Sequence, residues 1–396
     1  MLPRIPSGAA FCLLASIVVT FLAGSSAPTP LYAVYQAEWG FTPIATTAVF
    51  GVYALGVLVA LLTLGRLSDH LGRRPVLLVA IVVQIVAMVG FLTADGVGML
   101  VVSRIVQGLS TGAAVGAVGA GMLDIDRRRG TFANAVVPGV GTALGALVSG
   151  LVVQFLPAPT HLVYVLLLVL IAAQGVGVLL MRETVSRKAG AVAALVPEIR
   201  LPRAVRGPFL AAAPVLVAVW ALAGFYGSLG PALVRDLTGS SSLALGGLAL
   251  FVLAGVAALS VVLLRDVEAR TVMLTGGVAL IAGVGVTLVA ISAESATGFF
   301  IGTAIAGIGF GSGFQGGIRT VVPLAAAHER AGVLSSLYVV SYLGLGVPAV
   351  VAGFLVVNVG GLLDTAREYG AAVMVLAAVA MVGLLARRPA PAGVAA

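Results

Sequence analysis

Arg104 stands in an otherwise apolar stretch, Val101-Val102-Ser103-Arg104-Ile105-Val106, with Gln107 three residues on. At i and i+3 the two side chains share nearly one face of a helix. A guanidinium in a lipid-spanning helix costs at least about 2.5–3.5 kcal/mol, so it is expected to face a bundle interior or a wet cavity. The alternative is an outward snorkel, because Arg104 comes early in its stretch. A second polar island is the loop Gly65-Arg66-Leu67-Ser68-Asp69-His70-Leu71-Gly72-Arg73-Arg74. Gly65 and Gly72 permit a tight turn between two helix ends. Asp69 suits the positive N-terminus of a neighbouring helix, where a carboxylate gains roughly 0.3–1 kcal/mol. Taken by itself, the loop also serves as a basic topology anchor.

Other chemistries lack their residues. Cys12 is the one cysteine, which excludes an intramolecular disulfide and a thiolate metal site. His70, His161 and His328 fall in loops, so no metal centre and no cofactor are expected. No Gly-rich phosphate loop ends in a lysine, the sole lysine being Lys188, which argues against an ATP-driven pump. The 14 acidic residues lie in loops or at the ends of apolar stretches, the nearest to an interior being Glu38, Asp124 and Asp236. A membrane enzyme would need a buried catalytic constellation that this pattern does not offer.

Only 9% of the residues are charged and 60% are hydrophobic, with a mean hydropathy of +1.17. Such a chain cannot cover a globule with polar surface, so its solvent is lipid. Apolar runs of membrane-spanning length number twelve: 9–35, 44–64, 75–94, 98–122, 131–156, 162–181, 209–233, 242–264, 271–292, 297–322, 332–357 and 370–386. We call these spans 1–12. If both termini are cytoplasmic, every Lys and Arg except Arg104, Arg235 and Arg367 falls on the inner side. That asymmetry encodes orientation and removes the nucleic-acid reading of the net charge of +8. Residues 4–27 look in part like a signal peptide, but six spans per half require a retained first helix.

The chain echoes itself at an offset near 200 residues. Arg74-Pro75-Val76-Leu77-Leu78 answers to Arg270-Thr271-Val272-Met273-Leu274, Gln107-Gly108-Leu109 to Ala306-Gly307-Ile308, and Arg129-Gly130 to Arg330-Ala331-Gly332. The expected plan is an N-terminal bundle over 1–181, a cytoplasmic linker over 182–208 and a C-terminal bundle over 209–396. Pro197, Pro202 and Pro208 argue against a continuous helix in the linker. Pro28 and Pro30 must interrupt the hydrogen-bond ladder of span 1, either exposing carbonyls or only kinking the helix.

The loop at 65–74, between spans 2 and 3, resembles the signature of the major facilitator superfamily: Gly, three residues, Asp, two residues, Gly, then two basic residues. The likeness covers essentially the whole chain and is closest to the bacterial twelve-helix drug and metabolite efflux branch. It implies an all-α membrane protein of two pseudo-symmetric six-helix bundles that rock about a central site. It also implies that Asp69 meets the start of span 11 and Arg73 meets Asp124, a latch with Gly65 and Gly72 at its turns. Arg104 with Gln107 resembles the family's fourth-helix motif, tied to proton coupling or to structural hydrogen bonds. The Pro138-Gly139 region of span 5 partly resembles an antiporter motif, with Gly and Pro reversed.

By the family's rule spans 1, 4, 7 and 10 line the cavity, aided by 5, 8 and 11. Candidate substrate contacts are Tyr32, Gln36, Gln107, Asn134, Trp220, Tyr226, Phe314, Gln315, Tyr338 and Tyr342. Aromatics with a few amides suit a flat or greasy organic molecule. The expected function is proton-coupled efflux of small amphipathic compounds by a monomer in the cytoplasmic membrane. The alternative is a symporter or facilitator for a neutral or anionic metabolite, which the missing buried carboxylate favours.

Overall fold

A computed structural model describes residues 5–386, so Arg4, Arg387 and Arg388 of the charge asymmetry lie outside the described residues. Among the described residues twelve helices are long and apolar enough to cross a membrane: Ser7–Trp39, Pro43–Leu64, Arg73–Leu92, Val97–Ile125, Arg127–Phe155, Pro159–Leu180, Arg203–Ser228, Leu243–Leu263, Ala269–Ser292, Ala296–Leu324, Arg330–Asn358 and Gly361–Leu385. They occupy the places of spans 1–12 and keep those numbers. No strand occurs among the described residues.

The helices exceed the apolar runs where their ends turn polar. Span 7 begins at Arg203 rather than 209, and span 12 at Gly361 rather than 370. Pro208 therefore lies inside span 7, early enough to forfeit a single backbone bond, and Pro202 is the N-cap. His161 falls in the first turn of span 6, where it is exposed. Asp364 and Glu368, taken as loop residues from the sequence, sit on the first two turns of span 12, both exposed.

Two large buried apolar cores form, one running from Ala10 to Met181 and one gathered mainly from Val205 to Leu384, with a small third patch of Phe50, Ala54, Leu345 and Ala349 between them. Lipid gives no hydrophobic drive between helices, so close packing through small residues must hold them. Spans 9 and 10 meet this way: a Cβ on Gly276 would stand 2.6 Å from the Gly313 Cα. Gly145 of span 5 leaves no room for a side chain against Ala23 and Ser26 of span 1.

Between the halves, spans 2 and 11 touch at Gly51 against Val350, Ala54 against Gly346 and Thr47 against Gly353. The Thr29 hydroxyl of span 1 donates to the Gly227 carbonyl of span 7 at 3.0 Å. These contacts sit toward the ends of their spans remote from the basic loops.

Candidate functional site

Pro28 has no N–H to give the Gly24 carbonyl one turn back. Gln107 Nε2 donates there instead, at 2.9 Å. Beside it Arg104 Nη1 donates to the Ser25 carbonyl at 2.8 Å and to Gln107 Oε1 at 2.8 Å. Arg104 Nε and Nη2 both reach the Tyr32 hydroxyl, at 3.1 and 2.6 Å. The guanidinium carbon lies 5.7, 5.2 and 5.8 Å from the ring centres of Tyr32, Tyr53 and Phe91. Arg104 is 0% exposed, so it does not snorkel. Its positive charge is met by carbonyl dipoles, a hydroxyl and three rings, and none of its recorded ion pairs or hydrogen bonds is to a carboxylate. The break in span 1 thus exposes carbonyls to a buried cation. Tyr53, Phe91 and the Ser25 carbonyl complete the site, marked in the sequence only by their aromatic type or their nearness to Pro28.

The C-terminal half repeats the contact without the charge. Carrying the echo of Gln107 at Ala306 back three residues puts Thr303 in the place of Arg104. Thr303 pairs with the Tyr226 hydroxyl at 2.8 Å, as Arg104 pairs with Tyr32. Tyr226 is buried and stacks on Phe299, 5.8 Å between centres. In this structure it lies in the interior of its own bundle, apart from the aromatic candidates that gather at the junction.

Four other candidates do gather. Trp220 of span 7 lies 5.2 Å from Phe314 of span 10 and 5.3 Å from Tyr342 of span 11, and Tyr342 lies 6.5 Å from Tyr338. Phe310, one turn from Phe314, adds an edge contact at 5.9 Å. The i to i+4 spacing of Phe310 and Phe314 was the signal that could have found it. Trp220 and Tyr342 also pack against a patch that Phe50 and Ala54 of the other half form with Leu345 and Ala349 of span 11. Gln315 is half-buried beside Phe314. Gln36 and Asn134 serve elsewhere: Gln36 donates to Thr46 at 2.9 Å, tying the end of span 1 to the start of span 2. Asn134 donates to the Gly119 carbonyl at 3.1 Å, tying span 5 to span 4.

The loop at 65–74 has a geometry of its own. Gly72 takes φ +101°, which an L side chain resists. The turn brings the Arg73 and Arg74 backbone N–H groups onto Glu183, at 2.8 and 3.0 Å. The carboxylate at a helix N-terminus is therefore Glu183, at span 3, a residue the sequence did not single out. Arg73 meets Asp124 as expected, Nε to Oδ2 at 3.0 Å. Asp69, 51% exposed, also pairs with Arg73 and so is turned to its own loop rather than to span 11. The first turn of span 11 is met instead by the linker. Arg200 N–H donates to the Gly332 carbonyl at 3.3 Å, and Ser336 Oγ to the Arg200 carbonyl at 3.4 Å. The same linker ties back to the loop through an Arg66–Glu198 pair and Lys188 N–H on the His70 carbonyl at 2.9 Å. In the second half the degenerate loop is held by Arg319, which donates to the Leu264 and Val267 carbonyls at 3.2 and 2.6 Å.

All fourteen carboxylates are exposed or half-buried. Glu38 and Asp236 lie exposed near helix ends, and Asp124 has 29% of its side chain exposed.

Twelve spans in two halves, a buried arginine in one half and an aromatic cluster where the halves meet define a polytopic membrane transporter fold. The chain belongs to the Major Facilitator Superfamily, whose family model matches residues 13–347. Over 128 residues it is 32% identical to the MFS-type transporter mpsC of Macrophomina phaseolina, covering 32% of this chain and 23% of that one. Over 88 residues it is 38% identical to the multidrug transporter AQR1 of Candida glabrata, covering 21% of this chain and 15% of that one. These matched stretches thus span about a quarter or less of each relative. In fold it is similar to the crystal structure of a variant of the nucleoside transporter NupG, with a TM-score of 0.70 and 12% identity over 96% of this chain and 98% of that one.

Proposed function

We propose that this protein exports small amphipathic organic compounds by alternating access, drawing on the proton gradient. The observation that carries the reading is the cluster of Trp220, Phe310, Phe314, Tyr338 and Tyr342, set on three helices of one half and touching span 2 of the other. Aromatic faces at a junction of two moving halves bind greasy, flat molecules and let them go as the junction opens. The similarity of part of the chain to a multidrug transporter supports the same class. In this reading the basic loops face the cytoplasm, and the Arg73–Asp69–Asp124 group rearranges between the two states. Arg104 couples the two gradients, its charge sensing the occupancy of the junction through Tyr53 and span 2.

One observation favours a second reading, a symporter or facilitator for a neutral or anionic metabolite. A cation exporter needs a buried carboxylate to hold its cargo and carry the proton, and none of the fourteen is buried. Reconstitution into liposomes with an imposed pH gradient separates the two. Uptake of labelled amphipathic compounds into inside-out vesicles should rise with an inside-acid gradient. Transport that ignores the gradient sinks the proton-driven reading and leaves the facilitator.

A further inference from the structure

Trp220 carries an unused donor. Its Nε1 is enclosed and has no hydrogen-bond partner, and a buried donor without an acceptor forfeits its hydration with nothing in return. Tertiary packing does not require that loss, because phenylalanine would fill the same apolar ring contacts. The indole is nevertheless half-buried as a whole, and its ring is framed rather than covered. Phe310 and Phe314 meet it nearly perpendicular, at 80° and 84°, and Tyr342 is tilted at 36°. On the facing half, Ala54 of the packed patch adjoins Tyr53, one of the rings around Arg104. A cationic guest would find no buried carboxylate to offset its charge, since all fourteen are exposed or half-buried.

We propose that Trp220 is the specificity-determining donor of a subsite for flat, uncharged aromatic compounds, its indole N–H donating to a carbonyl or ring-nitrogen acceptor on a guest held among Phe310, Phe314 and Tyr342. The proposal rests on the transporter reading above and narrows its substrate class. It separates compounds by one acceptor atom rather than by greasiness.

Two tryptophans, Trp39 and Trp220, are all the chain has. Trp39 stacks on Tyr35 near the end of span 1, away from the cluster. In purified Trp39→Phe protein, Trp220 is the sole tryptophan reporter. The probes are 9-fluorenone and fluorene, planar tricycles that differ by one carbonyl oxygen, and the N-methylacridinium cation. Equilibrium dialysis should show fluorenone binding about three- to tenfold more tightly than fluorene, the worth of one net hydrogen bond. Trp220 emission should be quenched with the same midpoint, and N-methylacridinium should bind more weakly than fluorenone. Trp220→Phe should bring the fluorenone and fluorene affinities together, while Tyr342→Ala should weaken both alike. Equal affinities in the Trp39→Phe protein, tighter binding of the cation, or no binding of either tricycle overturns the proposal. If Trp220→Phe does not fold, the fluorenone-to-fluorene ratio and the quenching midpoint in the Trp39→Phe protein still decide it. Fluorenone movement in liposomes is scored separately: binding without transport removes the transport reading for this class and leaves the subsite standing.

Discussion

Arg104 shows how one residue sets the chemistry of a whole half. A buried cation is tolerable only if its N–H groups are met, and here Tyr32 accepts two of them. Tyr32→Phe should therefore lower stability by about 1.5–3 kcal/mol, the range for hydrogen bonds to a charged group. Thermal unfolding in detergent checks this, and an unchanged melting temperature would mean that the Tyr32 contact is incidental. Arg104→Lys keeps the charge but loses the planar fork that spans Tyr32, Ser25 and Gln107. We expect transport to fall about tenfold or more, with the protein still inserted in the membrane. Asp69 belongs to a different kind of residue, exposed and paired only within its loop. Asp69→Asn should slow transport while leaving expression intact, and full transport in that variant would remove the latch.

At the scale of elements, two helices owe their paths to single residues. Span 1 continues through Ala27 with helical angles, yet its carbonyls at Gly24 and Ser25 are turned to Gln107 and Arg104. For Gly24 proline supplies that, since Pro28 one turn on has no N–H to give, while the Ser25 carbonyl is held by the Arg104 guanidinium. Span 5 lies against span 1 because Gly145 has no side chain. A Cβ there would collide with Ala23, and overpacking of this kind costs about 1–3 kcal/mol for one added methyl. Gly145→Leu should exceed that and yield aggregated protein on size-exclusion chromatography, whereas recovery of a monodisperse peak would show that span 5 can move aside. The linker is an element too. By joining the loop at 65–74 to the first turn of span 11, it holds the two halves' basic ends in reach of each other.

For the whole molecule the question is whether the halves rock. Thr47 and Gly353 face each other across spans 2 and 11, and a Cβ on Gly353 would lie 3.0 Å from the Thr47 Cβ. That is close to the Cβ spacing of a disulfide, about 3.5–4.5 Å. Cys12 is exposed and is the lone cysteine, so Cys12→Ser gives a clean background. In it, the pair Thr47→Cys and Gly353→Cys should oxidise readily and stop transport, with recovery on reduction. Full transport by the cross-linked protein would mean that this end never needs to part.

Composition and hydropathy alone determined the class, the number of spans and the place of Arg104 inside one of them. They do so because lipid imposes length and apolarity on any helix that crosses it. The loop at 65–74 was legible because its glycines, acid and basic pair are local in sequence. The helix ends were less so, since Arg203 and Gly361 begin helices outside the apolar runs, where water and not lipid meets the backbone. Which residues share a site was decided only by tertiary structure. Tyr32 and Tyr226 look alike as sequence, yet one meets a buried arginine and the other a threonine inside its own bundle. Gln36 and Asn134 were equally plausible cavity residues and instead brace helix pairs. The contacts that matter lie tens of residues apart along the chain, and a single sequence records the type of each partner but not the direction in which it points.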